Sequence, residues 1–452
     1  MGTNPDTPMR AVLRCGEAPR HVGWAQLLLD TRVGGLSLLQ RHVVALREAG
    51  IHDISLAVPP AILPDFERVR HASLPMGITV RVVPDDAPGK AAADRSPVLE
   101  QRADTLVDPR LLVQLVQLAD INPGDMVCLD SDEHANTPEA KSPYVAGIPE
   151  ADEAKPVDGE AARHLAPIGL AVRTAHGEPP VGLDVGRYYW HRFSGPQDAA
   201  DATTKVLLAT MKATDGLFAQ TNRRVSLRIS RLLLDTRVTP NMVTMGTLVC
   251  GLVAGWLMSL GYQAALVAGA LMAWFASMLD GVDGELARAR FQTSALGHWL
   301  EMVCDYVFYM ALFVGLGAGI YRVTGETQWL VMGGGAACGV VISFSVVAHL
   351  KRAYARQGAM DDFYLAYQRT VSGPGSNPFL RITPHLTALL TRAAFPYFLV
   401  AFTLLGLAKV ALVLMFVATQ SFWVVALYAS RLRMTLQPAE PLAESVATVE
   451  NR

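Results

Sequence analysis

Apolar residues fall into two different rhythms along this chain. From residue 33 to about residue 130 the apolar runs are short and change period; from 241 to 430 they are long and broken only by brief polar punctuation. In "VGGLSLLQRHVVALREAGIHDISLAV" (33–58), Leu38, Leu39, Val43, Leu46 and Ala49 keep helical spacing. Gly50 stops that helix, and "ISLAV" reads as a short buried strand. "GITVRVV" (77–83) and "DMVCLD" (125–130) predict further strands. Between them "VDPRLLVQLVQLADI" opens a helix after Asp108, with Pro109 in its first turn. Alternating strands and helices predict an α/β sandwich with a largely parallel sheet. Residues 131–162 are acidic and proline-rich and read as loop.

The second region begins with "DGLFAQTNRRVSLRISRLLL", where Phe218, Val225, Ile229 and Leu232 fall on one side. Arg224, Arg228 and Arg231 fall on the other. Such a basic amphipathic helix suits an anionic cytoplasmic leaflet; a helix packed on the preceding domain is the alternative. Six apolar segments follow, at 241–261, 262–281, 295–320, 328–349, 393–408 and 409–430, each near the ~20 residues that cross a bilayer. The last two share one run, with a turn expected near Gly406 to Lys409. Arg231, Arg237, Arg288, Arg290, Lys351, Arg352, Arg356, Arg392, Arg431 and Arg433 fall on one side of this arrangement, against Arg322 and Lys409 on the other. The positive-inside rule then predicts a multi-pass protein with both termini cytoplasmic, as in a bacterial inner membrane.

Composition agrees with a soluble part joined to a membrane part: 51% of the 452 residues are hydrophobic and 18% charged. The net charge of −2 and the lack of a basic tract give no reason to expect a nucleic-acid partner. Five scattered cysteines form neither a zinc spacing nor a disulfide ladder. The first residues carry no apolar core of a signal peptide, so none is expected. The expected organisation is a cytoplasmic domain over 1–204, a juxtamembrane amphipathic helix over 205–240, an all-α six-helix membrane domain over 241–433 and a flexible tail over 434–452.

Against this background "DGVDGELARARFQTSALGHWLEMVCD" (280–305) is unexpected, because it sets Asp280, Asp283, Glu301 and Asp305 at the ends of two apolar spans. Desolvating a charge is costly there. Helical spacing puts Asp280, Asp283 and Ala287 on one face, with Gly284 and Arg288 one position round, and puts Gly297, Glu301 and Asp305 on one face of the next helix. The short connection makes the two helices antiparallel neighbours, so the acids converge. Divalent cations with oxygen ligands relieve their repulsion. The small residues leave room for a flat ligand, which suits metal-assisted phosphoryl transfer. A structural polar contact and the ion site of a channel or ion-coupled transporter are the other readings.

The spacing Asp-x2-Asp-Gly-x2-Ala-Arg-x8-Gly-x3-Asp-x3-Asp, met here by Asp280, Asp283, Gly284, Ala287, Arg288, Gly297, Glu301 and Asp305, resembles the signature of the CDP-alcohol phosphotransferases. That resemblance implies transfer of a phospho-alcohol from a CDP-alcohol to an acceptor hydroxyl with release of CMP. It implies two divalent cations, Mg²⁺ or Mn²⁺, held by Asp280, Asp283 and Glu301, with Asp305 as ligand, general base or both. Gly284, Ala287 and Gly297 would line the nucleotide, Arg288 would face the diphosphate, and the protein would be a homodimer among membrane lipids. Glu301 departs from the family, which has Asp there; the extra methylene bears on rate and metal preference.

The stretch "KATDGLFAQTNRRVSLRISRLLLDTRVTPNMVT" (212–244) resembles the bifunctional inositol-1-phosphate cytidylyltransferase/di-myo-inositol phosphate phosphate synthase proteins. These fuse a nucleotidyltransferase-like domain to the membrane domain, implying a CDP-inositol donor. The loop "VLRCGEAPRHVGWAQLLLD" has one glycine and no lysine where such transferases hold nucleotide phosphates, so the N-terminal domain reads as a degenerate relative with a regulatory or structural role. Asp104 is either that fold's metal-binding acid or an ordinary turn acid. His134, within "LDSDEHANTPEAK" (129–141), reads as part of a solvated loop, and His298 as an interfacial residue pointing off the acid face. Arg352, Arg356 and Arg392, with Lys351, border the cytoplasmic mouth, as anchors or as a site for a phosphorylated acceptor. The loop 357–379 is a candidate lid or acceptor selector. The acceptor is then a polyol phosphate or a lipid hydroxyl. A phospholipid synthase using CDP-diacylglycerol and a soluble alcohol, and an inactive transporter or scaffold, are the alternatives.

Overall fold

The sequence Ser37-Leu-Leu-Gln40 begins the first long helix with a reciprocal cap: the Gln40 backbone N–H donates to Ser37 Oγ and the Ser37 N–H donates to Gln40 Oε1. The computed structural model in which this is seen describes residues 9–15, 23–66, 80–85, 97–121, 126–129, 155–156, 170–173, 181–184, 188–211, 217–355 and 394–433. The chain divides into two compact units that do not follow chain order. The first comprises Met1–Asp215, Leu227–Arg237 and Gly284–Gln292; the second comprises Gly216–Ser226, Val238–Asp283 and Thr293–Arg452.

The first unit is built on strands β1 (Arg10–Arg14), β2 (Arg32–Val33), β3 (Leu36–Ser37), β4 (Asp53–Val58), β5 (Arg81–Pro84), β6 (Val98–Arg102), β7 (Thr105–Val107), β8 (Met126–Leu129), β9 (Lys155–Pro156), β10 (Leu170–Arg173), β11 (Val181–Asp184) and β12 (Trp190–Arg192). Its helices are α1 (Trp24–Asp30), α2 (Leu38–Glu48), α3 (Pro109–Ile121) and α4 (Ala199–Leu208). Eight strands form one sheet in the order β5-β4-β1-β6-β10-β8-β11-β9. The sheet is mixed rather than largely parallel: β10 runs antiparallel to both β6 and β8, and β9 antiparallel to β11. Alternation of apolar residues encodes a strand but not its direction. The two-residue β9, inside the segment read as loop, is too short to show any period. Leu13, Leu39, Leu46, Ile54, Leu56 and Leu99 are buried against the sheet, as the helical and strand spacings require.

Helix α5 (Leu217–Leu233) spans both units. Next come α6 (Pro240–Ser259), α7 (Gln263–Ala289), α8 (Ala295–Thr324) and α9 (Gln328–Ala355), then α10 (Phe395–Leu404) and α11 (Ala408–Arg433). Among the described residues, four helices are long and apolar enough to cross a membrane: α6, α7, α8 and, over Gln328–Val346, α9. The fifth predicted span, read from the sequence as short, is shorter still. α10 has ten residues and stops where Gly406 turns left-handed (φ +70°). α6 and α8 meet at glycine: a Cβ on Gly315 would overlap the backbone of Gly255. The core around that contact contains Phe308, Leu312, Leu316 and Ala254.

Candidate active site

In the second unit, α7 and α8 bring three of the predicted acids together. Asp280, Asp283 and Glu301 each offer a carboxylate oxygen within 4.8 Å of the others, the one such metal-ligand group among the described residues. Glu301 therefore reaches the group despite its departure from the expected aspartate. Asp305 stands one helical turn further along α8, half-buried and outside this group of three. Like charges at ~4.8 Å in an effective dielectric of about 20 repel by roughly 3–4 kcal/mol per pair. The arrangement therefore calls for protons or cations. Oxygen ligands of Mg²⁺, about 2.1 Å from the ion, lie at most about 4.2 Å apart, so small side-chain adjustments close the group on a hard divalent cation. The donor set fits such an ion.

Asp283 is only 4% exposed, and Thr244 Oγ1 donates to its Oδ2 at 2.6 Å. Thr244 lies in the first turns of α6, which is N-capped by Thr239, with Pro240 at the helix start. Three helices thus build the site. Sequence reasoning missed Thr244, because no spacing within one helix reveals a partner on another. At the start of α8, Ser294 Oγ accepts from the Gly297 N–H at 3.0 Å. A Cβ on Gly297 would meet that Oγ at 3.0 Å and Asn241 Oδ1 at 3.4 Å, so its smallness lets α6 and the cap approach. His298 is not turned away from the acids: its Nδ1 lies 3.9 Å from Glu301 Oε2. The i, i+3 spacing was the signal, outweighed in the sequence reading by the flanking Gly297 and Trp299.

The first unit contains the rest of the motif. Gly284 and Ala287 are half-buried, and a Cβ on Gly284 would lie 3.0 Å from Arg288 Nη1; the arginine folds back over the glycine. Glu285, which no spacing argument singled out, is fully buried and accepts from Ser230 Oγ at 2.6 Å. Arg290 caps the end of α5. Its Nη2 donates to Leu233 O at 2.5 Å, Leu234 O at 2.8 Å and Thr236 O at 3.1 Å, satisfying carbonyls that a helix end leaves open.

The stripe of α5 that the protein buries is polar, and lies on neither of the two sides that the sequence spacing separated. Asn222, Ser226 and Ser230 are buried, whereas Leu232 is 78% exposed and Val225, Arg224 and Arg228 are also exposed. In the second unit, Arg223 Nη1 donates to Gly281 O at 3.2 Å, and a Cβ on Gly281 would meet that same nitrogen at 2.9 Å. Tyr397 donates to Asn222 Oδ1 at 2.7 Å. In the first unit, Arg231 donates to Thr204 Oγ1 at 3.0 Å, so part of the helix is packed on the α/β domain as the alternative reading had it. Val225 and Leu232 face outward, whereas Phe218 keeps ring contacts with Tyr397 and Phe398 at 5.2 and 5.8 Å.

Asp104 is a buried acid held by arginines. Arg102 bonds it through Nε and Nη2 at 3.0 and 2.9 Å, and Arg192 Nε lies 3.3 Å away. Burial alone would raise its pKa, but the bonds and charge of Arg102, followed by the charge of Arg192, outweigh it and hold the carboxyl below the usual range. With its oxygens committed in this way, Asp104 is built as an ion-pair centre. Lys351 and Arg352 lie on α9. Arg356, Arg392, His134 and the loop 357–379 lie outside the described residues.

Residues 237–399 match the model of the family described as CDP-alcohol phosphatidyltransferase. The bifunctional IPC transferase and DIPP synthase of Aquifex aeolicus is 34% identical over 139 residues, covering 29% of this chain and 31% of that protein. The phosphatidylinositol phosphate synthase of Mycobacterium bovis is 38% identical over 94 residues, 21% of this chain and 42% of that protein. The chain spans about a third of the length of the first of these curated relatives. A crystal structure of Mycobacterium tuberculosis phosphatidylinositol phosphate synthase with CDP-DAG bound is 24% identical, covering 46% of this chain and 93% of that one, with a TM-score of 0.31.

Proposed function

We propose that this chain, through its CDP-alcohol phosphatidyltransferase domain, transfers a phospho-alcohol from a CDP-alcohol to an acceptor hydroxyl and releases CMP. The observation that carries this reading is the convergence of Asp280, Asp283 and Glu301 within 4.8 Å, where the family's signature residues stand. These three would hold two divalent cations, which when bound supply charge neutralisation to the diphosphate. Asp305, one turn beyond the group, is the base: it takes the acceptor's hydroxyl proton as that oxygen bonds to the phosphorus bearing the alcohol. The bond from that phosphorus to the bridging oxygen breaks, and CMP leaves with the oxygen. Gly284, Ala287 and Gly297 line the nucleotide and Arg288 faces the diphosphate. Thr244 orients Asp283.

The relatives named above make a CDP-inositol-type donor the first to test, with a polyol phosphate or lipid hydroxyl as acceptor. A reaction of CDP-diacylglycerol with a soluble alcohol is the second, supported by the likeness to phosphatidylinositol phosphate synthase. The reaction takes place at the cytoplasmic face of a multi-pass homodimer. The full chain in lipid nanodiscs, given a panel of CDP-alcohols with Mg²⁺ or Mn²⁺, is expected to release CMP from at least one, and chelation to stop it. Absence of CMP from every donor in both metals contradicts the reading.

A further inference from the structure

α7 ends in an unusual way. The Gln292 N–H donates to Ala287 O at 2.7 Å and the Phe291 N–H to Arg288 O at 3.3 Å, the paired bonds of a Schellman cap. The left-handed residue of such a cap is usually glycine, because a Cβ is crowded there. Here it is Phe291, with φ +54°, the one non-glycine of positive φ among the described residues. Something outside the helix must therefore hold it.

Arg41 of α2, 1% exposed, supplies that hold within the first unit. Its guanidinium carbon lies 5.2 Å from the centre of the Phe291 ring, and its Nη2 donates to Ala289 O at 2.5 Å. The same guanidinium is fixed from the other side: Nε donates to Val33 O at 3.0 Å and Nη2 to Gly34 O at 3.2 Å. The Gly34–Gly35 turn between β2 and β3 is shaped for it. A Cβ on Gly34 would overlap Arg41 Nη2, and one on Gly35 would lie 2.6 Å from Leu234 O. Arg290, one residue before Phe291, bonds that same Leu234 carbonyl.

We propose that the α/β domain serves as a clamp on the end of the motif helix, with Arg41 a positioning residue for segment 287–292 and so for Arg288. A buried cation on three backbone carbonyls and one aromatic face stabilises a fixed conformation of that end. Only the fork of an arginine meets all four at once. The domain then contributes to transfer without a chemistry of its own. The kinetic part of this proposal rests on the transferase reading; the structural part does not.

The test uses the full chain in nanodiscs as wild type, Arg41→Lys, Phe291→Gly and the double variant. Phe291→Gly removes the ring while leaving a residue suited to the left-handed position. Hydrogen exchange at the amides of 288–292 is expected to rise at least tenfold in each single variant, with β1, β4 and β6 unchanged and the double variant no faster than Arg41→Lys. Unchanged protection in Arg41→Lys, or additive effects, overturns the clamp whether or not any CDP-alcohol is turned over. In the kinetic arm, Arg41→Lys raises the KM for the CDP-alcohol about tenfold with kcat within twofold and Mn²⁺ affinity unchanged. A fall in kcat alone, the mark of lost folded protein, overturns the positioning role.

Discussion

Thr244 on α6 donates its hydroxyl proton to Asp283 on α7 at 2.6 Å, joining two helices at the most buried acid of the site. A bond of this kind fixes the orientation of a carboxylate that would hold the ion. Such supporting partners are commonly worth 10- to 100-fold in metal affinity or rate. Thr244→Val, nearly the same shape without the hydroxyl, is expected to weaken Mn²⁺ binding by about tenfold or more with little change in melting temperature. Titration followed by electron paramagnetic resonance measures it.

Glu301 differs from the aspartate of the family, yet its carboxylate already belongs to the group of three. Shortening it to the family residue withdraws the carboxylate by about one C–C bond, roughly 1.5 Å. Glu301→Asp is therefore expected to lower Mn²⁺ affinity by about tenfold rather than improve it. Improved binding would mean that the α8 backbone settles closer to α7 than it stands here.

Arg290 is described by sequence as one more positive-inside residue, but it closes three carbonyls at the end of α5. Removing it leaves those acceptors open in a largely buried place, at a cost of about 1–3 kcal/mol. Arg290→Ala is expected to lower the thermal midpoint of the first unit by several degrees. Lysine, which retains the charge without the fork, restores less than half of that loss.

His42 gives a pH dependence with a fixed sign. Gln101 Nε2, which also donates to Thr105 O, donates to His42 Nδ1 at 3.0 Å, so the proton sits on Nε2 and is directed at Ala103 O at 3.1 Å. Burial, only partly offset by that carbonyl, pushes its pKa down to about 4. Between pH 6.5 and about 4 the unfolded chain binds a proton that the folded domain refuses. Stability is thus full above pH 6.5 and falls as pH drops through that window, by about 3 kcal/mol. Denaturant unfolding at several pH values should show the fall, and His42→Gln should flatten it.

The helix over Leu38–Glu48, the strand after it and the facing acids of α7 and α8 were legible in the sequence because each depends on periodicity within one element. The signature spacing from Asp280 to Asp305 carried the site for the same reason. Features that depend on a second element were not legible: Thr244 beside Asp283, Ser230 beside Glu285, and Arg41 over Phe291. The stripe of α5 that the protein buries, Asn222, Ser226 and Ser230, was not legible either, because it lies beside the apolar and basic sides that the spacing separated. The antiparallel course of β10 likewise left no mark in hydropathy.

On the reading proposed above, the three converging acids hold divalent cations for transfer from a CDP-alcohol. The most direct measurement is Mn²⁺ binding and CMP release by the same nanodisc preparations of wild type and Asp283→Asn. Wild type is expected to bind Mn²⁺ and release CMP, and Asp283→Asn to lose at least about a hundredfold in release along with its Mn²⁺ affinity. Metal binding and CMP release that survive Asp283→Asn unchanged would contradict that reading.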